Sequence, residues 1–273
     1  EQIPTFSPDG KKIAFVRKNN IFITDGNGEK QITTDGEFNK IINGLPDWVN
    51  EEEFSFNNAL AWSADSKTLS WIKYDESKVK TYSLQMFKGS NPELDEYSDY
   101  PGLYSYKYPK AGQDNSKVSA WSYDLASGKT IQYSLPLDSD GYIPRIRTTN
   151  DAARIVLFTM NRHQNSLKIY AANPADGSCK LILEETNPKY VKEEAMEGIV
   201  IGKKRILLPS DRDGIMSLYL YDINGKLLGK YPTKREVTDV YGYDENSGKA
   251  YIQTVGATPM DRTVSIVSPK SSN

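Results

Sequence analysis

Cysteine and histidine are nearly missing: Cys179 and His163 are the only ones among 273 residues. One cysteine excludes an internal disulfide, and the two together are too few for a Cys/His zinc site. A lone histidine also leaves no marked base for an activated serine. His163 lies in Asn161-Arg162-His163-Gln164-Asn165, between two strand-like runs, where a solvated turn histidine is expected. The chain has no Gly-x-Ser-x-Gly nucleophile elbow, no phosphate-binding glycine loop and no clustered metal ligands, so neither cofactor nor metal is expected. No apolar run is long enough to cross a bilayer. Nor does a secretory signal open the chain, since Glu1-Gln2-Ile3-Pro4 leads straight into a repeat. The 34 Lys and Arg are balanced by 36 Asp and Glu, a formal charge of −2, which removes the basic excess that nucleic-acid binding needs.

Aromatic residues and repeats are abundant. Aromatics make up 11% of the chain, with 18 Tyr, a composition suited to many half-buried strands. Phe6-Ser7-Pro8-Asp9-Gly10, leading into Ile13-Ala14-Phe15-Val16, recurs as Trp62-Ser63-Ala64-Asp65-Ser66, leading into Thr68-Leu69-Ser70-Trp71-Ile72. Weaker copies begin near Arg147 and Tyr243. A second unit alternates with the first: a strand ending in Asp or Asn, a turn, and another strand. Examples are Ile21-Phe22-Ile23-Thr24-Asp25-Gly26, Trp121-Ser122-Tyr123-Asp124 and Leu218-Tyr219-Leu220-Tyr221-Asp222. Period-2 alternation with Asx-Gly turns predicts antiparallel hairpins. Two hairpins per unit, repeating every 40 to 50 residues or so, describe four-stranded β-propeller blades. A β-sandwich with accidental similarity is the other architecture that fits. The expected fold is all-β, with blades starting near residues 4, 57, 143, 190 and 237. The chain begins in the middle of a unit and stops without a closing strand, so a piece of a longer protein is expected. Cys179, at the start of a strand-like run, is expected to be a partly buried structural thiol.

One interval breaks the period. Between Ile72 and Val118 lies a long insertion rich in Tyr, Ser, Asp and Pro. Long insertions in compact domains are functional or disordered. The aromatic density favours an ordered arm, and a floppy loop is the competing reading.

Asp47-Trp48-Val49-Asn50-Glu51-Glu52-Glu53-Phe54 places three adjacent carboxylates just after a Trp. Paired carboxylates suit a primary ammonium, which has three donors and no acceptor, because ionised Glu offers acceptors only. The free N-terminus of a peptide is such a group. The same triplet also reads as a solvated face, or as the first turn of a helix, where the macrodipole favours acids. Neighbours on a strand point to opposite faces, so convergence on one ligand requires a turn or a short helical piece. Leu45-Pro46-Asp47 supplies turn chemistry upstream.

Several segments together resemble the dipeptidyl peptidase IV family. Asp47-Trp48-Val49-Asn50-Glu51-Glu52-Glu53 resembles its double-glutamate motif, and Ala59-Leu60-Ala61-Trp62-Ser63 the strand that follows. Tyr108-Pro109-Lys110-Ala111-Gly112, with Asn115 and Val118 downstream, resembles another of its segments. Asn161 to Asn165 and Ser210-Asp211-Arg212-Asp213-Gly214, with Leu218 to Asp222, look like later blades of bacterial members. Asn50 stands where mammalian members have Tyr, and the region of Tyr190-Val191 does not reproduce a Phe-Arg pair that lines their substrate cavity.

The resemblance implies part of an eight-bladed propeller over residues 1–273, with an inserted arm at about 74–110. It implies that Glu52 and Glu53 bind the free N-terminal ammonium of a peptide, with Glu51 as a supporting neighbour. The catalytic Ser, Asp and His of such a serine exopeptidase would lie in an α/β-hydrolase domain beyond residue 273. An arginine that holds the substrate carbonyl would lie upstream of Ile3. The reaction implied is release of N-terminal X-Pro or X-Ala dipeptides, with this chain inactive alone. The hydrolase domain would be its partner in the same protein, and a homodimer would form through the arm. The bacterial members imply a secreted, periplasmic or envelope-attached protein. A prolyl tripeptidyl peptidase would share the propeller, and a non-enzymatic protein-binding propeller also fits the fold.

Overall fold

The structure, a computed structural model, describes residues 1–89 and 94–269. The chain divides into two compact units, residues 1–60 with 71–121, and residues 61–70 with 122–273.

The first sheet runs β1 (Gln2–Phe6), β2 (Ile13–Arg17), β3 (Asn20–Thr24) and β4 (Glu29–Gln31), each strand pairing antiparallel with the next. β5 (Ile41–Asn43) comes next, followed by helix α1 (Trp48–Glu52), β6 (Leu60–Trp62) and β7 (Thr68–Asp75). The insertion carries β8 (Thr81–Met86) and β9 (Gly102–Lys107), a two-stranded antiparallel sheet of their own. With β10 (Lys117–Asp124) and β11 (Thr130–Gln132) the second sheet is complete, in the order β11-β10-β7-β5 with β6 also paired to β7.

Three sheets follow in simple meander order. One holds β12 (Tyr142–Thr148), β13 (Ile155–Met160), β14 (Ser166–Ala172) and β15 (Cys179–Thr186). The next holds β16 (Val200–Ile201), β17 (Arg205–Ser210), β18 (Ser217–Asp222) and β19 (Leu227–Lys230). The last holds β20 (Val237–Asp244), β21 (Lys249–Val255) and β22 (Arg262–Val267). The fold is all-β of the β-propeller type, built from antiparallel sheets of which three are four-stranded. Among the described residues no helix is long and apolar enough to cross a membrane.

The two sequence repeats fold as two kinds of turn. In the first, a hydroxyl closes the β1–β2 and β6–β7 connections. Ser7 Oγ donates to Asp9 at 2.6 Å and Ser63 Oγ to Asp65 at 2.7 Å, while the backbone N–H groups of Ser7 and Ser63 reach across to Lys12 and Thr68. In the second, an Asp or Asn side chain accepts backbone N–H groups two or three residues on. Asp124, Asn173 and Asp222 do this, and a glycine at positive φ ends each turn. β13, Ile155–Met160, is buried at every position, as a strand with neighbours on both edges and both faces should be. Pro144 is tolerated because β12 is an edge strand of its sheet and its register with β13 shifts between Tyr142 and Arg145, so the missing N–H breaks no ladder bond.

Two boundaries differ from the sequence reading. The fourth sheet begins at Val200 rather than near 190, because Glu193–Met196 forms a 3-10 turn, with Ala195 and Met196 buried, before the first strand. The second sheet recruits β5 ahead of the residue 57 start, so it has five strands. The sandwich reading falls with the meander topology. Within the insertion Thr81–Met86 and Gly102–Lys107 pair antiparallel, in register from Thr81 opposite Lys107 to Met86 opposite Gly102, where the loop reading expected no regular structure. Residues 90–93 of the expected arm, and residues 270–273 of the expected propeller region, lie outside the described residues.

Candidate functional site

The glutamate triplet sits on the only α-helix among the described residues. α1 is five residues long, too short to persist by its own hydrogen bonds. Asp47 is its N-cap: one carboxylate oxygen accepts from Asn50 N at 3.0 Å and from Asn50 Nδ2 at 2.8 Å. An acidic side chain at that end also meets the positive pole of the helix. Glu53 is the C-cap, still in right-handed helical conformation. Glu52 and Glu53 therefore leave the backbone about 100° apart around one turn. This local geometry answers the objection that adjacent strand residues diverge.

Buried residues bracket the turn. Asn50 is 1% exposed and Phe54 1% exposed, whereas Glu51, Glu52 and Glu53 all face solvent. Ser55 then adopts a φ of 49°, and Phe56 N returns to the carbonyl of Asn50 at 3.0 Å. That reversal puts both Phe54 and Phe56 inside and leaves the acids outside. None of the three glutamate side chains has a hydrogen-bond or ion-pair partner among the described residues. The arrangement thus presents acceptor oxygens with no internal cation to neutralise them, which suits an external cationic donor.

The second motif singled out in the sequence meets this helix. The Trp48 and Tyr108 rings lie 4.0 Å apart, centroid to centroid. Tyr108 continues a stripe along one face of β9 and beyond it: Tyr104 and Tyr106 are 5.6 Å apart, and Tyr106 and Tyr108 6.0 Å. Phe38 touches the far end at Tyr104, 6.2 Å away. Five rings in series thus lay the arm along its own unit, anchoring a hairpin that would be marginal alone. The sequence supplies the stripe directly, because alternate residues of Tyr104-Ser105-Tyr106-Lys107-Tyr108 share a face.

Two buried side chains near the helix were not singled out in the sequence. Ser116 Oγ donates to the second carboxylate oxygen of Asp47 at 2.6 Å. Glu76 is 6% exposed and has no hydrogen bond to its carboxyl among the described residues. Burial pushes its pKa up to about 7; Asp47 and Asp75 add to the rise, and Lys107 opposes it. Lys107, at the end of β9, donates through Nζ to the carbonyls of Val79 at 2.7 Å and Ser77 at 3.4 Å. Asp47 could have been found from its place as an N-cap before an acidic run. Nothing local marks Ser116 or Glu76, since each reads as an ordinary polar turn residue.

The remaining candidates are structural in their own surroundings. His163 is exposed in the turn between β13 and β14. Cys179 is a free, partly buried thiol, and burial pushes its pKa up to about 11, with Asp176 adding to the rise. The Ser-Asp-Arg-Asp-Gly segment forms a tight knot. Arg212 pairs with the buried carboxylate of Glu185 and stacks 4.3 Å from the Tyr219 ring, and the Tyr219 hydroxyl donates to Asp213 at 2.6 Å. Among the described residues no group of three or more His, Cys, Asp or Glu is placed to hold a metal ion.

The comparisons agree on one family. The model of the dipeptidyl peptidase IV N-terminal region matches residues 1–273. The chain is 32% identical over 198 residues to a probable dipeptidyl-aminopeptidase B of Phaeosphaeria nodorum, covering 69% of this chain and 22% of that protein. It is 30% identical over 244 residues to the corresponding protein of Podospora anserina, covering 83% of this chain and 25% of that one. The crystal structure of Porphyromonas gingivalis dipeptidyl peptidase 4 superposes with a TM-score of 0.90 at 40% identity, covering 99% of this chain and 39% of that chain. The chain therefore spans roughly a quarter of the curated relatives' length and two fifths of that structure's.

Proposed function

The chain belongs to the dipeptidyl peptidase IV N-terminal-region family, and from that membership we propose that it is the substrate-recognition region of a serine exopeptidase releasing N-terminal X-Pro or X-Ala dipeptides. In this reading Glu52 and Glu53 receive the ammonium of the substrate's first residue, and Glu51 supports them. The observation that carries it is the display of the triplet: three solvent-facing carboxylates on one capped turn, flanked by buried Asn50 and Phe54, with no cation paired to them among the described residues. Juxtaposed carboxylates repel one another, and a bound ammonium relieves that repulsion. An acetylated terminus carries no charge and would leave it standing.

Bond cleavage in this reading belongs to residues outside this chain, in a hydrolase domain of the same protein. The fixed distance from the glutamate turn to that domain's serine would set the length of the released piece. The arm, with Leu103 70% and Tyr100 82% exposed, is the surface through which two copies would associate.

The test uses the full-length protein. Gly-Pro-nitroanilide should be cleaved, its N-acetyl counterpart should not, and Glu52→Ala with Glu53→Ala should abolish cleavage. Equal cleavage of the blocked substrate, or activity that survives the double substitution, would overturn the assignment of these glutamates. Release of tripeptides alone would replace the dipeptidyl reading with a tripeptidyl one.

A further inference from the structure

The glutamate turn cannot set its own geometry. α1 is a five-residue helix, and the carboxylates of Glu51, Glu52 and the C-cap Glu53 make no hydrogen bond or ion pair among the described residues. Their direction is therefore set by the backbone of the turn, and so by whatever holds that turn in place. Asp47 both organises the helix and reaches away from it. It is 6% exposed, and its two carboxylate oxygens have separate tasks. One caps the helix through Asn50, and the other accepts the hydroxyl of Ser116 at 2.6 Å, from 69 positions along the chain. Ser116 is itself 4% exposed and sits just ahead of β10, whose sheet includes β7.

We propose that Asp47 is the positioning residue of the ammonium clamp and Ser116 its tether, so that this buried pair fixes where Glu52 and Glu53 point. The inference rests on the ammonium-binding reading of those glutamates. The geometry separates it from a plain capping role. A cap alone needs one oxygen, and serine serves as well as aspartate there. The second oxygen ties the turn to the segment just ahead of β10, and a serine at position 47 is too short to reach it. The Trp48–Tyr108 contact, 4.0 Å between rings, is a second tie between this turn and the rest of its own unit. A free ammonium is small and needs acceptors converging within hydrogen-bond range, so a modest swing of the turn is enough to lose it.

The full-length protein and Gly-Pro-nitroanilide supply the test. Ser116→Ala and Asp47→Ser should each raise KM about tenfold while kcat stays within about twofold, since uniform binding of the substrate is what weakens. Ser116→Thr, which keeps the hydroxyl, should return KM to within about twofold of the parent. Glu52→Gln with Glu53→Gln is the reference. If that pair raises KM and the tether variants do not, the tether is overturned and the clamp stands. If the glutamine pair leaves KM unchanged, the clamp reading fails and takes the tether with it. Failure of Ser116→Thr to rescue Ser116→Ala, or a fall in kcat matching the loss of folded protein, assigns the pair a structural role only. Asp47→Ser keeps the cap, so it carries the same readout should Ser116→Ala not fold.

Discussion

Trp48 and Tyr108, 60 positions apart in the chain, lie ring against ring, 4.0 Å between centroids, and join the helix to the end of the arm. This contact brings the glutamate-bearing segment and the Tyr-Pro-Lys-Ala-Gly segment to one place. It also ends the ladder of rings that holds the arm.

Truncating Tyr108 should therefore loosen arm and helix together. We expect Tyr108→Ala to cost about 2 kcal/mol in urea denaturation, from lost area and ring contact, and Tyr108→Phe to cost less than about 0.5. A stability loss confined to the arm, with the KM for a free-amine substrate unchanged, would argue that the ring contact does not brace the turn.

Glu76 gives the chain a pH dependence of defined sign. Its folded pKa, near 7, lies above the ordinary carboxylate value of 4.5. The folded state thus keeps a proton that the unfolded state has released, and stability falls as pH rises from about 4.5 through about 7. The groups acting on it are Asp47, Asp75 and Lys107. Glu76→Gln fixes the neutral form and should add on the order of 2 kcal/mol at pH 8, with little change at pH 4.5. Equal stability of variant and parent at pH 8 would count against the buried carboxyl.

Cys179 should be slow to react. Its thiol is partly buried with a pKa near 11, so only about one molecule in a thousand is thiolate at pH 8. Labelling by a neutral disulfide reagent should be at least tenfold slower, or so, than for the urea-unfolded chain. Equal rates in the two states would place the thiol outside the packed sheet.

Two glycines separate backbone strain from crowding. Gly225 has a φ of 90°, and a Cβ there would lie 1.7 Å from the carbonyl oxygen of Ile182; Gly214 has a φ of 99° and open space around it. Gly225→Ala should cost on the order of 3 kcal/mol or more, and Gly214→Ala about 1 to 2, the difference being the collision with backbone. Similar thermal midpoints for the two variants would show that the β18–β19 turn shifts freely.

Charging the arm tests the proposed association. Leu103→Glu with Tyr100→Glu should turn a dimer of the full-length protein into monomers in sedimentation velocity, at unchanged circular dichroism. Dimers that persist at micromolar concentration would place the interface elsewhere.

Much of this protein was decided locally, and that part could be read from the sequence. Aromatic-Ser-x-Asp and Asp-x-x-Gly turns fold by hydrogen bonds that span a few residues, so the hairpins, the repeat and the fold class followed from the order of residues. The Tyr104, Tyr106 and Tyr108 stripe followed from the period of a strand, and the acidic triplet marked itself by composition and by resemblance. Tertiary structure decided what long-range neighbours do. It made Asp47 a buried tie to Ser116, buried Glu76 beside that tie, set β5 into the second sheet, and laid the arm against Trp48. Each of these depends on which distant segment packs or pairs there. Dielectric, and the partner that answers it, belong to the packed chain and not to any stretch of its sequence.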